Sequence, residues 1–316
     1  MRAFSFLLLA IVGCDSTEIR TAEVDAASRI CGPTSVGYMS TMDHIAPSEE
    51  FTFFEDELLN IPDGGDVTFR ARKFGTPMVG FPYASREIGA VRALADGDLL
   101  IADEAEGTIV RLGREDGSIE VVISGLERPN SMAVGPDDQV FVGDVDRLFE
   151  LDLETGEPAL VVSLPGVDFD GLALDNEGKT LYFNDDLTGS VWRQDLESGV
   201  RTLIATLDNF GVWGPRSGEE GGEDRSGSTG SDPGRWEAPL DGMAVDECGN
   251  LYVVRMSGEI FRISTDDVVT HIAELPSEDV LATAAHFGTG FGGWERGHLY
   301  VMNRRGVEGG VVELRE

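Results

Sequence analysis

Three oxygen-bearing side chains, Asn130, Asp170 and Asp241, stand at the same place in a recurring pattern. Each is followed by a small residue (Ser131, Gly171, Gly242) and then by a short apolar run. Two carboxylates and an amide oxygen brought together make a hard, oxygen-only site. Such a site suits Ca²⁺ or another hard divalent ion and not structural zinc, which draws Cys and His. Asn and Asp also begin strands because they close turns well, so any one of the three is unremarkable. Their common register is what argues for a metal. At such a site Asp241 would serve as ligand and general base, and Asn130 as ligand and orienter of substrate. No competing motif is present: the chain has no G-x-S-x-G, H-E-x-x-H, G-x-x-x-x-G-K-[ST] or C-x-x-C. The four histidines (His44, His271, His286, His298) are scattered. Only His286 falls on a strand of the inner set, where a packed or hydrogen-bonded role outweighs that of a base.

The elements that must position these residues are short strands. Residues 88–103, 129–144, 169–183 and 240–254 each read as strand, polar Asp/Gly/Asn turn, strand, and 283–302 is a looser fifth copy. A third short strand follows each pair, and in the first four copies a further turn and a fourth strand. Four antiparallel strands per unit describe a propeller blade. The matched positions 89, 130, 170, 241 and 283 are spaced by 41, 40, 71 and 42 residues, and the long interval becomes regular once a Gly/Ser/acid-rich insertion at 208–237 is removed. The fold is therefore expected to be an all-β propeller. Five blades are visible and a sixth would have to lie in 37–88, so six blades are favoured over five. The last copy ends after its third strand, which requires an N-terminal strand to close the ring and protect its edge. The insertion joins an outer strand to the next inner one and so emerges on the face of Asp170 and Asp241. Trp213 and Trp236 near its ends, and Arg255 after the second strand of the Asp241 blade, are candidate substrate contacts.

Composition limits the partners. With 58 acids against 24 bases the formal charge is −34, which makes nucleic acid and anionic membrane surfaces poor ligands. At 26% charged and 41% apolar residues the chain is nonetheless of ordinary globular composition, able to bury a core. Its 40 glycines against 13 prolines fit many tight turns. The N-terminus carries one arginine, an apolar run too short to span a bilayer, and Gly13-Cys14, the pattern of an export signal over 1–13. Residues 14–36 read as a flexible tether and 37–316 as the propeller domain. Without Cys14, the remaining Cys31 and Cys248 form an even pair that an export compartment would allow to bridge. The reading as two unrelated small residues is preferred.

Residues 11–14 (Ile-Val-Gly-Cys) resemble the lipobox of bacterial lipoproteins, which implies lipid on Cys14 and an anchor in the cell envelope, at the periplasmic face or outer membrane. Arg128-Pro129-Asn130, Phe169-Asp170-Gly171-Leu172-Ala173, Leu240-Asp241-Gly242-Met243-Ala244-Val245 and, in the last copy, Phe287-Gly288 with Leu299-Tyr300-Val301 resemble the senescence-marker-protein (regucalcin) and gluconolactonase family of six-bladed propellers. That resemblance implies a divalent metal, Ca²⁺ first, held by Asn130, Asp170 and Asp241. Two departures matter: the family's fourth-blade ligand is Asn where this chain has Asp170, and its first-blade Glu has no clean counterpart, Glu50 being the candidate 39 residues before Gly89. The combined expectation is a lipid-anchored, monomeric, extracytoplasmic metal-dependent hydrolase of small neutral lactones or esters, touching the membrane only through its N-terminal lipid. The alternative is a non-catalytic propeller lipoprotein that binds a protein or glycan, or one with a purely structural role in the envelope.

Overall fold

The computed structural model describes residues 29–42, 45, 48–62, 67–71, 77–81, 87–186, 188–207, 239–275, 280–304 and 310–316. The expected signal segment with Cys14, the whole insertion at 208–237 with Trp213 and Trp236, and His44 lie outside the described residues. Among the described residues no helix is long and apolar enough to cross a membrane.

The chain forms an all-β propeller whose sheets each have four antiparallel strands. Among the described residues six such sheets are present. The first holds β2 (Ser48–Phe54), β3 (Glu57–Pro62), β4 (Val67–Ala71) and β5 (Pro77–Phe81). The second holds β6 (Ile88–Ala93), β7 (Leu99–Asp103), β8 (Thr108–Leu112) and β9 (Ile119–Ser124). The third holds β10 (Pro129–Val134), β11 (Val140–Asp144), β12 (Arg147–Asp152) and β13 (Glu157–Ser163). The fourth holds β14 (Phe169–Leu174), β15 (Thr180–Asp185), β16 (Ser190–Asp195) and β17 (Arg201–Thr206). The fifth holds β18 (Leu240–Val245), β19 (Leu251–Arg255), β20 (Glu259–Ile263) and β21 (Val269–Glu274). The last sheet combines β22 (Ala282–Phe287), β23 (Leu299–Asn303) and β24 (Gly310–Arg315) with β1 (Tyr38–Met42), which pairs with β24 from Tyr38↔Arg315 to Met42↔Val311. The N-terminal strand β1 thus supplies the fourth strand of the last sheet, as expected.

Burial follows strand position. The second strands β7, β11, β19 and β23 are buried throughout, because neighbours cover both faces and both edges. The outer strands β9, β13, β17 and β21 bury a single residue near their ends. Among the described residues the core falls into six clusters, each between one sheet and the next, one of which joins the first sheet to the last through Phe51, Leu58, Tyr300 and Met302. There Trp294, fully buried, stacks within 5.0 Å of Phe53 and 5.3 Å of Tyr300, and its Nε1–H donates to the Asp56 carbonyl at 3.0 Å. Burying a side chain of that size contributes roughly 3 kcal/mol. The inner strands touch in cyclic order, β2 to β6, β10, β14, β18, β22 and back to β2.

Two expectations change. Residues 29–36 are docked: the Gly32 amide donates to Asp246 Oδ2 at 2.8 Å, and the Tyr252 hydroxyl donates to the Pro33 carbonyl at 3.1 Å. Cys31 and Cys248 are joined in a disulfide, not unrelated. The hairpin turn carrying Cys248 is also the turn in which Asp246 accepts from Gly32, so one loop clamps the incoming segment by a covalent bond and a hydrogen bond together.

Candidate metal centre

The inner strands share a local irregularity that explains the site. In each, the ladder with the second strand skips at the same place: between Ser48 and Phe51, Ile88 and Ala90, Pro129 and Ser131, Phe169 and Leu172, Leu240 and Met243, and Ala282 and Ala284. A bulge leaves its extra residue unpaired and re-aims the side chain. The skipped residues are Glu49 and Glu50, Gly89, Asn130, Asp170 and Gly171, Asp241 and Gly242, and Thr283. All of them line one narrow, solvent-connected cavity. The four expected metal residues Glu50, Asn130, Asp170 and Asp241 are therefore brought together, each from a different sheet.

Glycines make the close approach possible. A Cβ on Gly171 would sit 2.2 Å from the Asp241 carbonyl oxygen, and one on Gly242 would sit 2.6 Å from the Ala284 Cα. Asn184, fully buried on β15, locks two bulges together. Its Oδ1 accepts from the Gly171 amide at 2.8 Å and its Nδ2 donates to the Asp241 carbonyl at 2.7 Å.

Asn130 Nδ2 donates to Asp170 Oδ1 at 2.5 Å, using the donor end of its amide and sparing its oxygen. Asp241 is 6% exposed, and among the described residues its Oδ2 has no hydrogen-bond partner. Burial, then the charges of Asp170 and Glu50, push its carboxyl well above the ordinary range. Burial and the charges of Asp186, Asp168 and Glu104 do the same to Asp170. Asp186, beside them, is pushed up to about 7 by burial and by Asp168 and Asp185. Ser131 Oγ and Thr283 Oγ1 are likewise buried without a partner in the lining. A buried carboxylate oxygen with nothing to accept from, facing a second carboxylate, is what a bound cation would relieve.

Glu50 differs. Its Oε1 accepts from the Phe51 amide at 3.0 Å and meets His286 Nε2 at 3.1 Å, while Arg92 Nη1 lies 2.6 Å from Oε2. Burial raises its carboxyl, but Arg92 and His286 outweigh burial and hold it below the ordinary value. His286 is pushed down, first by burial and then by Arg92, so it is a neutral imidazole at pH 7, hydrogen-bonded and packed edge-on to Phe51 at 4.9 Å. Among the described residues no three His, Cys, Asp or Glu side chains converge closely enough to hold a metal. The fit to a hard cation rests on Asn130, Asp170 and Asp241, with Glu50 drawn toward Arg92.

Arg255 is not at the cavity. It is 2% exposed, pairs with Glu259 at 3.2 Å, donates to the Leu207 carbonyl at 2.7 Å and lies 5.2 Å over Phe261. In the ladder it occupies the place of Asp144 and Asp185, which accept from the amides of Arg128 and Asp168, and of Asn303, which accepts from Leu281. The other three tie the chain entering an inner strand to the end of the second, while Arg255 ties the end of β19 to the chain leaving β17. Arg255 is a structural clasp, and the buried Asn184 and the cavity-lining Arg92 are the site residues that spacing alone missed.

These features define a propeller with an oxygen-rich site where the inner strands meet. A profile described as the SMP-30/Gluconolactonase/LRE-like region matches residues 65–304, and the chain belongs to that family. Solved structures of similar fold include a luciferin-regenerating enzyme (16% identity, TM-score 0.66, covering 88% of this chain and 95% of that one). A gluconolactonase from Xanthomonas campestris is comparable (15% identity, TM-score 0.66, 91% and 96%). So is regucalcin, a calcium-binding protein, from Agrobacterium tumefaciens (14% identity, TM-score 0.65, 90% and 95%). No curated protein sequence matches the chain.

Proposed function

We propose that this chain is a six-bladed, lipid-anchored extracytoplasmic hydrolase of lactones or related esters that works with a divalent cation, Ca²⁺ first. The reading is carried by one observation: bulges on separate inner strands deliver Asn130, Asp170 and Asp241 to one cavity, where the Asp241 Oδ2 is buried without a partner. Asn130, Asp170 and Asp241 would hold the ion, with Glu50 as a fourth ligand. A bound cation would supply Lewis acidity toward a substrate carbonyl and a water. Asp241, whose carboxyl burial and the charges of Asp170 and Glu50 push well above the ordinary range, is suited to take a proton from that water. Asn130 orients the substrate through its amide, and Asp170 in turn fixes that amide by their hydrogen bond. The excess of carboxylates around the cavity favours a neutral substrate over an anionic one.

The test is hydrolysis of a panel of neutral lactones and aryl esters with Ca²⁺, Mn²⁺ or chelator. Chelator-sensitive turnover that disappears in Asp241→Asn, with circular dichroism unchanged, supports the reading. A panel with no chelator-sensitive turnover refutes it. Fractionation of wild type and Cys14→Ser tests the anchor, which requires the wild type alone to remain with membranes. A second reading, a non-catalytic propeller that binds a protein or glycan, is favoured by the engagement of Glu50 with Arg92 and His286. The same panel decides between the two.

A further inference from the structure

The ring of bulges is uneven in charge. Glu50, Asn130, Asp170 and Asp241 offer oxygen, while the second sheet offers Gly89, which has no side chain to give. What β6 sends into the cavity instead is a cation. Arg92, three residues further along, lines the same cavity with its side chain 11% exposed. Its Nη1 donates to the Val91 carbonyl at 2.8 Å and stands 2.6 Å from Glu50 Oε2. Across the ring, Asp241 Oδ2 has no such partner among the described residues. Of the two ends of the acid ring, one is compensated by protein and the other is not.

We propose that Arg92 is a built-in counter-cation of the site: it holds Glu50 when no divalent ion is bound, and an ion must draw Glu50 away from it, so that Arg92 sets how tightly the ion is held. This rests on the metal reading above. Glu50 has about four lone-pair positions, and the Phe51 amide, His286 and Arg92 already engage three. A guanidinium keeps its charge at every working pH, so the ion contends with it under all conditions, which a lysine would not guarantee. Nor can hydration relieve the contest cheaply, since Arg92 and Glu50 are both about nine-tenths covered. Among the described residues no three acidic or imidazole groups converge here, and the first-sheet carboxylate is engaged by Arg92.

The experiment is calorimetric titration of the whole protein with CaCl₂ and with MnCl₂, comparing wild type, Arg92→Gln and Arg92→Lys. The expected result is at least tenfold tighter binding in Arg92→Gln, with Arg92→Lys close to wild type. Binding in Arg92→Gln but none in wild type would support the proposal still more strongly. If wild type binds and Arg92→Gln binds equally or more weakly, the proposal is overturned and the metal reading stands. If neither protein binds either ion, both fall. Should Arg92→Gln not fold, the side-chain Nε–H resonance of Arg92, assigned by its loss in Arg92→Lys, must shift when the wild type is saturated with cation. An unmoved resonance overturns the proposal.

Discussion

Replacing Asp241 by Asn keeps the shape of the side chain and removes its charge, and its effect should change sign with cation. In the cation-free protein the carboxylate is buried, its Oδ2 has no partner, and Asp170 and Glu50 oppose its ionisation. An unsatisfied buried polar group costs about 1–3 kcal/mol, more when charged. The amide is also imperfectly satisfied, so the net gain from neutralising it is about 1–2 kcal/mol. For a domain of this size that corresponds to a rise of about 2–6 °C in Tm at pH 8 in chelator. Saturating cation reverses the order. At about 100 Kd a bound ligand adds roughly 2.7 kcal/mol to the wild type, a rise of about 5–10 °C, and the variant should gain almost none of it. Differential scanning calorimetry at pH 8, with chelator and with millimolar CaCl₂, reads all four values. A variant less stable than wild type in chelator would refute the view that Asp241 is an uncompensated charge. A variant that kept the full cation shift would refute its role as ligand.

The raised acids make a pH prediction: Asp170, Asp186 and Asp241 ionise at higher pH folded than unfolded, so they impose no penalty below about pH 4, where both states are protonated, and their cost grows as pH rises. Tm in chelator should fall from pH 5 to pH 8, and Asp186→Asn, removing the group pushed up to about 7, should flatten the fall; an unchanged slope counts against it. Gly171→Ala should cost about 3 kcal/mol or more, because its Cβ would sit 2.2 Å from the Asp241 carbonyl, which is backbone and cannot swing away; a urea midpoint equal to wild type would contradict this. Removing the Cys31–Cys248 bridge with paired Ser substitutions should cost roughly 2–4 kcal/mol and expose the N-terminal segment to protease, while leaving cation affinity unchanged.

Much of the site was legible because the chemistry lies in the repeat itself. Asn130, Asp170 and Asp241 recur at the blade period, and the period marks the place where every inner strand breaks register. Glu50 was reachable only by counting back from Gly89. Its sheet hides because the β2–β3 turn is made by Glu55 and Asp56, with Glu55 at φ 50°, and lacks the Gly or Asn that betrays the other hairpins. Arg92 had no sequence signal beyond being a polar residue on an inner strand, since its role depends on a carboxylate from a strand in another sheet. Arg255 was misread because its position on the cavity face could be inferred but its partners, the Leu207 carbonyl and Glu259, could not. The docked segment 29–36 escaped for a related reason: it is held mainly by Asp246, Tyr252 and a disulfide, with Val36 alone of its larger apolar side chains packed against the core.

The pairing of β1 with β24 has a consequence for how the protein is made. Thr34 and Glu316, joined by hydrogen bonds at this seam, are 282 residues apart in sequence. At about 5–20 residues per second, a ribosome needs roughly 15–55 s between producing one side of the seam and the other. Throughout that interval β1 is an edge without its mate, and the last sheet cannot be assembled at all. Five sheets can form as they emerge, but the ring has to be sealed as a single late event, by an early strand, β1, meeting a late one, β24. A nascent chain stalled before β24 would therefore hold five complete sheets and still carry an open, adhesive strand at each side of the gap.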